Sequence, residues 1–105
     1  MSAWKVIITA QAQLEIRGIQ SYIANTLLMP ETASKQTRRI IDGIKSLDEM
    51  PLRLPLYDKE PWHGRGLRKM IIDNFSVFAL PNEKTKEVVV LHVFYSGRNT
   101  ENILD

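Results

Sequence analysis

The spacing of apolar residues divides the chain into segments of two different periods. Trp4-Lys5-Val6-Ile7-Ile8-Thr9 is short and β-branched and reads as a first strand. From Ala10 to Leu28 the period lengthens. Ala12, Ile16, Ile19, Ile23 and Leu27 recur three or four apart and mark one helical face, with Glu15, Arg17 and Gln20 elsewhere on the helix. Gly18 weakens this helix by roughly 1 kcal/mol relative to alanine, so either another element approaches it closely or it is simply tolerated. The pattern breaks over Asn25–Met29, and Pro30 followed by Glu31 suits the first turn of a second helix. Ala33, Thr37, Ile40, Ile41, Ile44 and Leu47 form its buried stripe, and Pro51 stops it near Met50. So short a link between the two helices predicts an antiparallel hairpin.

Pro51 to Gly66 holds Pro51, Pro55, Pro61, Gly64 and Gly66, which exclude helix and central strand alike. An ordered loop of roughly fifteen residues is expected, a length that is often functional. Leu52, Leu54, Leu56, Tyr57 and Trp62 are expected to tack it to the core. Leu67–Ile72 and Phe75–Leu80 read as strands joined by a tight turn at Asp73-Asn74. After the polar loop Pro81–Lys86, the run Val88–Tyr95 is almost unbroken β-branched and aromatic sequence. A strand covered on one face alternates, whereas a continuous apolar run suits one covered on both. This segment is therefore expected to be the central strand, emerging at Tyr95-Ser96-Gly97-Arg98 into the working end of the molecule. A short final helix over Arg98–Leu104 would take Asn99 or Thr100 as its cap.

The resulting order, β-α-α-β-β-β, predicts an α+β two-layer sandwich. An N-terminal helical hairpin covers one face of an antiparallel-rich four-stranded sheet, and the other face stays partly open for a partner. Residues 1–105 are expected to form one domain.

Composition narrows the chemistry. With 44% hydrophobic residues in 105, the chain can build a core without metal or disulfide support. It has no cysteine, which removes thiolate chemistry and Cys-ligated zinc. Two histidines give poor support for any other metal site, and no cofactor is implied. No apolar stretch approaches the ~20 residues of a membrane span, and the N-terminal run is too short for a signal peptide, so a soluble cytoplasmic protein is expected. The net charge of +2 is too mild to declare nucleic-acid binding. His63, Arg65, Arg68 and Lys69 lie close together, with Arg98 as a candidate neighbour in space. A solvated face accounts for such a cluster as readily as a binding surface does. For His92, inside an apolar run, a hydrogen-bonded core or partner-facing role outweighs a catalytic one. For Trp62 an anchoring role outweighs a ligand platform.

Several of these segments together resemble the RelE/ParE superfamily of type II toxin–antitoxin toxins. The resemblance rests on Tyr22-Ile23-Ala24, on Ile44-Lys45-Ser46-Leu47 ahead of a proline-containing loop, and on Gly66-Leu67-Arg68-Lys69. It continues through Asn74-Phe75-Ser76-Val77-Phe78 and Val93–Asn99, with Ile103-Leu104 after them. It implies a growth-inhibiting toxin, of the kind linked to plasmid stabilisation, neutralised by a cognate antitoxin. That antitoxin is expected to bring an apolar helix or strand and acidic residues, and DNA would be met only through it. RelE-like members are ribosome-dependent endoribonucleases acting on messenger RNA. On this chain that reading would use Arg68, Lys69, Tyr95 and Arg98 as catalytic residues. However, Met70 and Ser76 stand where such enzymes place basic residues, and the tail Arg98–Leu104 holds no Tyr or His. A missing transition-state cation costs ~3 kcal/mol or more. The tail from Gly97-Arg98 to Ile103-Leu104 is similar to the ParE branch, whose members inhibit DNA gyrase and are not known as nucleases, although Asn99 replaces the usual Asp. The resemblance then makes Arg65, Arg68, Lys69, Tyr95 and Arg98 target-binding residues, with DNA gyrase as the target, and the ribosome with its messenger RNA as the alternative.

Overall fold

The computed structural model describes residues 3–97. Arg98 and the final helix expected over Arg98–Leu104 lie outside the described residues. Strand β1 (Lys5–Ile8) leads into helix α1 (Ala10–Ser21). Thr9 makes the junction. Its hydroxyl accepts from the Ala12 backbone N–H at 3.1 Å and donates to Val90 O at 3.0 Å, which caps the helix and pins it to the last strand. The helix expected to reach Leu28 instead widens at its end. Tyr22–Thr26 winds as a π-helical turn, closed by Leu27 N–H donating to Tyr22 O at 3.1 Å. Helix α2 (Pro30–Lys45) begins with its proline in the first turn, as expected. The hairpin is therefore present, but its corner carries three large apolar side chains, Leu27, Leu28 and Met29, all exposed.

Strands β2 (Arg68–Ile72), β3 (Phe75–Asn82) and β4 (Glu87–Tyr95) follow, and the sheet order is β1-β4-β3-β2. β3 pairs antiparallel with both neighbours, while β1 runs parallel to β4. β3 extends past the expected Leu80 to include Pro81. Its missing N–H is harmless there because β2 pairs only as far as Ala79. β4 is an interior strand, but β1 flanks it only from Glu87 to Val90.

A bulge explains how a continuous apolar run serves two faces. The β3–β4 register passes from Ala79↔Val90 to Phe78↔His92, leaving Leu91 without a partner. Val88, Val90 and Val93 therefore all face the helices, with Ile16, Ile40, Ile44, Val77 and Phe75. Leu91 and Phe94 join a second cluster on the outer face with Tyr57, Leu67, Phe78, Trp62 and Leu80. Half-buried Trp62 is thus an anchor. The loop Pro51–Gly66 lies along β2, with Tyr57 N–H donating to Leu67 O at 2.8 Å and Lys69 N–H to Pro55 O at 3.1 Å. It also contains a 3-10 turn, Pro51–Arg53, and one helical turn, α3 (Trp62–Arg65). Gly43 lets α2 press onto β2, where a Cβ would collide with the Ile72 side chain. Gly18 has no such neighbour and is simply tolerated.

The β2–β3 turn is tied to α2. Arg39 donates to both Asp73 carboxylate oxygens at 2.6 and 2.8 Å, and Gln36 adds a bond at 3.0 Å. These bonds, the Arg39 one foremost, hold the Asp73 carboxyl below its usual value and raise Arg39. A carboxyl depressed in the folded state stabilises above its unfolded pKa and loses that contribution as pH falls through the folded one. Asp73→Asn keeps a residue suited to the left-handed backbone at φ 54 and removes only the charge. Urea midpoints of the two proteins are expected to differ by a small amount above about pH 4 and to converge in stronger acid. A gap of the same size at every pH would refute the linkage.

Candidate functional site

Where β1 stops, the end of β4 is left against an open groove of about 510 Å³. Val93, Phe94 and Tyr95 line one side, and Gly18, Ile19, Tyr22 and Ile23 the other. Leu27 and Met29 form its lip, and Gln36 and Asn74 add polar groups. Tyr22 and Tyr95 are 56% and 58% exposed and extend the apolar surface of the groove toward solvent. Phe75 holds the Tyr95 ring edge-on, with centroids 6.1 Å apart. Leu28, beside the lip, is 79% exposed and sits at φ 55, a conformation that costs a branched side chain about 1–2 kcal/mol. Leu28→Gly is expected to raise stability by about 0.5–1 kcal/mol in urea unfolding, after offsetting the unfolded chain's extra freedom. A loss of stability would show that the leucine side chain packs usefully where it is.

The groove's one charged lining residue among those described is Glu15. Its Oε1 accepts from Val93 N–H at 3.0 Å, and its Oε2 lies 3.1 Å from His92 Nδ1. An ionised carboxylate can only accept, so Nδ1 carries the proton in this pair. The side chains are 13% and 20% exposed. His92 also stacks on Phe94 at 4.8 Å between centroids. The partner expected for His92 is therefore an acidic residue on α1, a pairing that sequence reasoning missed. The signal was present in part, since Glu15 interrupts the chain one position before the buried Ile16.

The residues singled out from sequence are placed apart. Arg68 donates through one guanidinium nitrogen to Leu52 O at 3.0 Å and Leu54 O at 2.6 Å, fastening the loop. Exposed Arg65 stacks over Trp62, 5.2 Å from the ring centroid. His63 meets Glu60 at 3.2 Å at the surface. Lys69 is half-buried opposite Phe78 and, by alternation with Met70 and Ile72, faces the outer side. Tyr95 faces the helix-side groove, so these two lie on opposite faces of the sheet. Arg65 and Arg68 join Lys84, Glu83 and Glu87 around a shallow depression of about 670 Å³. Buried Ser76 bonds the Ser96 hydroxyl at 3.0 Å, at the point where β4 ends. Among the described residues no group of three His, Asp or Glu is placed to hold a metal ion. No helix there is long and apolar enough to cross a membrane.

No curated protein matches this chain significantly. Among solved structures, the chromosomal ParDE system of P. aeruginosa is similar, with TM-score 0.71 and 21% identity over 88% of this chain and 95% of that one. The RelE–RelB complex of Pyrococcus horikoshii OT3 is similar with TM-score 0.64 and 17% identity, over 94% and 100% of the two chains. The RelBE2 toxin–antitoxin complex of Mycobacterium tuberculosis follows with TM-score 0.62 and 15% identity, over 88% and 96%. Identities this low speak to the fold alone. The model of the ParE toxin of type II toxin–antitoxin systems, parDE, matches residues 6–100, and the chain belongs to that toxin family.

Proposed function

We propose that this protein arrests growth by binding DNA gyrase and is held inactive by a cognate antitoxin. What carries the choice of gyrase over RNA cleavage is the state of the groups a nuclease would need. Phosphoryl transfer from a ribose 2′-hydroxyl requires a base, an acid and cations converging on one phosphate. Here the Arg68 guanidinium is engaged by two carbonyls, Ser76 is buried in a hydroxyl pair, and Lys69 and Tyr95 face opposite ways. A binding toxin has no proton-transfer roles to fill and tolerates this arrangement. Arg65, Lys69, Tyr95 and Arg98 are its target contacts, with Arg68 holding the loop that presents Arg65. The exposed lip Leu27–Met29 with Tyr22 and Tyr95 is the apolar surface an antitoxin covers.

Purified toxin added to gyrase and relaxed plasmid is expected to block supercoiling, and prior mixing with the protein encoded beside it should restore the reaction. Supercoiling that proceeds unchanged, with codon-specific cleavage of messenger RNA on ribosomes, would replace this reading by the ribonuclease one. Harmless overexpression in a sensitive host would leave an inactive antitoxin-binding relative.

A further inference from the structure

Among the described residues, no strand pairs with the outer edge of β4 beyond Val90. Val93 directs its N–H to that edge, because the bond goes to Glu15 on α1 rather than to β3. Backbone groups alternate in direction along a strand, so Tyr95 points its N–H and C=O the same way. Ser96 confirms the alternation, donating inward to Asn74 O at 2.8 Å. Among the described residues the edge is thus open at Val93 C=O and Tyr95 N–H, beside the apolar groove, and closed at its inner end by the Glu15 carboxylate.

We infer that this edge accepts a short extended segment of a partner protein, apolar at alternate positions and carrying a lysine or arginine that meets Glu15. A strand entering from the Tyr95 end pairs with Tyr95 N–H and Val93 C=O. Alternate side chains drop between Tyr22, Ile19 and Tyr95, while the leading side chain arrives at Glu15. That carboxylate is the sole charge lining the groove among the described residues, so the complementary side chain is cationic. A carboxylate there would face Glu15 across an apolar wall. His92 fixes the carboxylate in place from the other side. The inference rests on the antitoxin reading only for the owner of the segment, and its chemistry stands on the edge and the groove.

Acetylated seven-residue peptides alternating valine with serine, one end serine replaced by lysine, glutamine or glutamate, provide the probe. The lysine peptide is expected to shift the amide resonances of Val93 and Tyr95 and to bind about tenfold tighter than the glutamate peptide. Glu15→Gln, which keeps an acceptor for Val93, should shrink that preference to within about twofold, and Glu15→Lys should reverse it. Backbone N-methylation should abolish binding at alternate peptide positions only. Equal affinity for the lysine and glutamate peptides overturns the inference, as does an absence of shifts at millimolar peptide. A helical peptide of the same composition binding better, or the same shifts arising from protein concentration alone, also overturns it and assigns the groove to a helix or to a second copy. Gyrase inhibition and growth arrest do not depend on peptide preference, so either reading can fail while the other survives.

Discussion

Replacing Phe78 with alanine is expected to cost about 3–5 kcal/mol in urea unfolding and to release the loop Pro51–Gly66 from the sheet. Phe78 is fully buried at the centre of the outer cluster. Tyr57 meets it edge-on at 5.6 Å and Phe94 lies against it at 5.9 Å. Removing the ring takes away the surface on which Tyr57 is seated, while Leu80 on β3 and Leu91 and Phe94 on β4 are held in place by the sheet, so the cavity cannot collapse fully. Phe78→Leu should lose much less, because most of the volume is kept. Amide exchange offers the second readout. The Tyr57 amide, bonded to Leu67 O, should lose protection far more in Phe78→Ala than the amides of α2 do. Equal loss everywhere would mean that the loop and the sheet open together, and that the outer cluster is not a separate clamp.

The next largest effect is expected at Glu15. Glu15→Ala strips the acceptor from Val93 N–H and the partner from His92, both largely withdrawn from water. A buried donor left unmet costs about 1–3 kcal/mol. Glu15→Gln should recover most of this. Its carbonyl oxygen can take the Val93 bond while its amide donates to the other tautomer of His92. The Val93 amide should exchange faster in Glu15→Ala and near the wild-type rate in Glu15→Gln. If both variants unfold at the wild-type midpoint, water replaces the carboxylate at no cost and the edge is wetter than the structure places it.

Much of the fold was legible because its causes are local. Pro30 and Glu31 mark the start of α2, the four-residue spacing of Ala12 and Ile16 on α1 and of Ile40 and Ile44 on α2 marks the buried faces, and Asp73-Asn74 marks the turn. The candidate site was less legible. Arg65, Arg68 and Lys69 are neighbours in sequence, yet one stacks on Trp62, one ties down Leu52 and Leu54, and one lies opposite Phe78. Adjacent residues on a strand point to opposite faces, so a run of basic letters is not a basic surface. The exposed corner Leu27–Met29 reads from sequence as a helix end, because the wide turn of Tyr22–Thr26 leaves no mark in hydrophobic spacing.

The sequence by itself determined the order of elements, the helical hairpin over the sheet and the apolar character of β4, since each follows from periodicity, propensity and turn chemistry within a few residues. Tertiary structure alone decided three things that make the site. The bulge at Leu91 put His92 on one face and Val93 on the other, which depends on the register against β3. The early end of β1 left the outer edge of the last part of β4 with no strand paired to it among the described residues. The approach of α1 across that gap brought Glu15 to Val93, residues 78 positions apart. Each is a long-range pairing whose energy is paid by neighbours in space, and neighbours in space are what a linear pattern does not record.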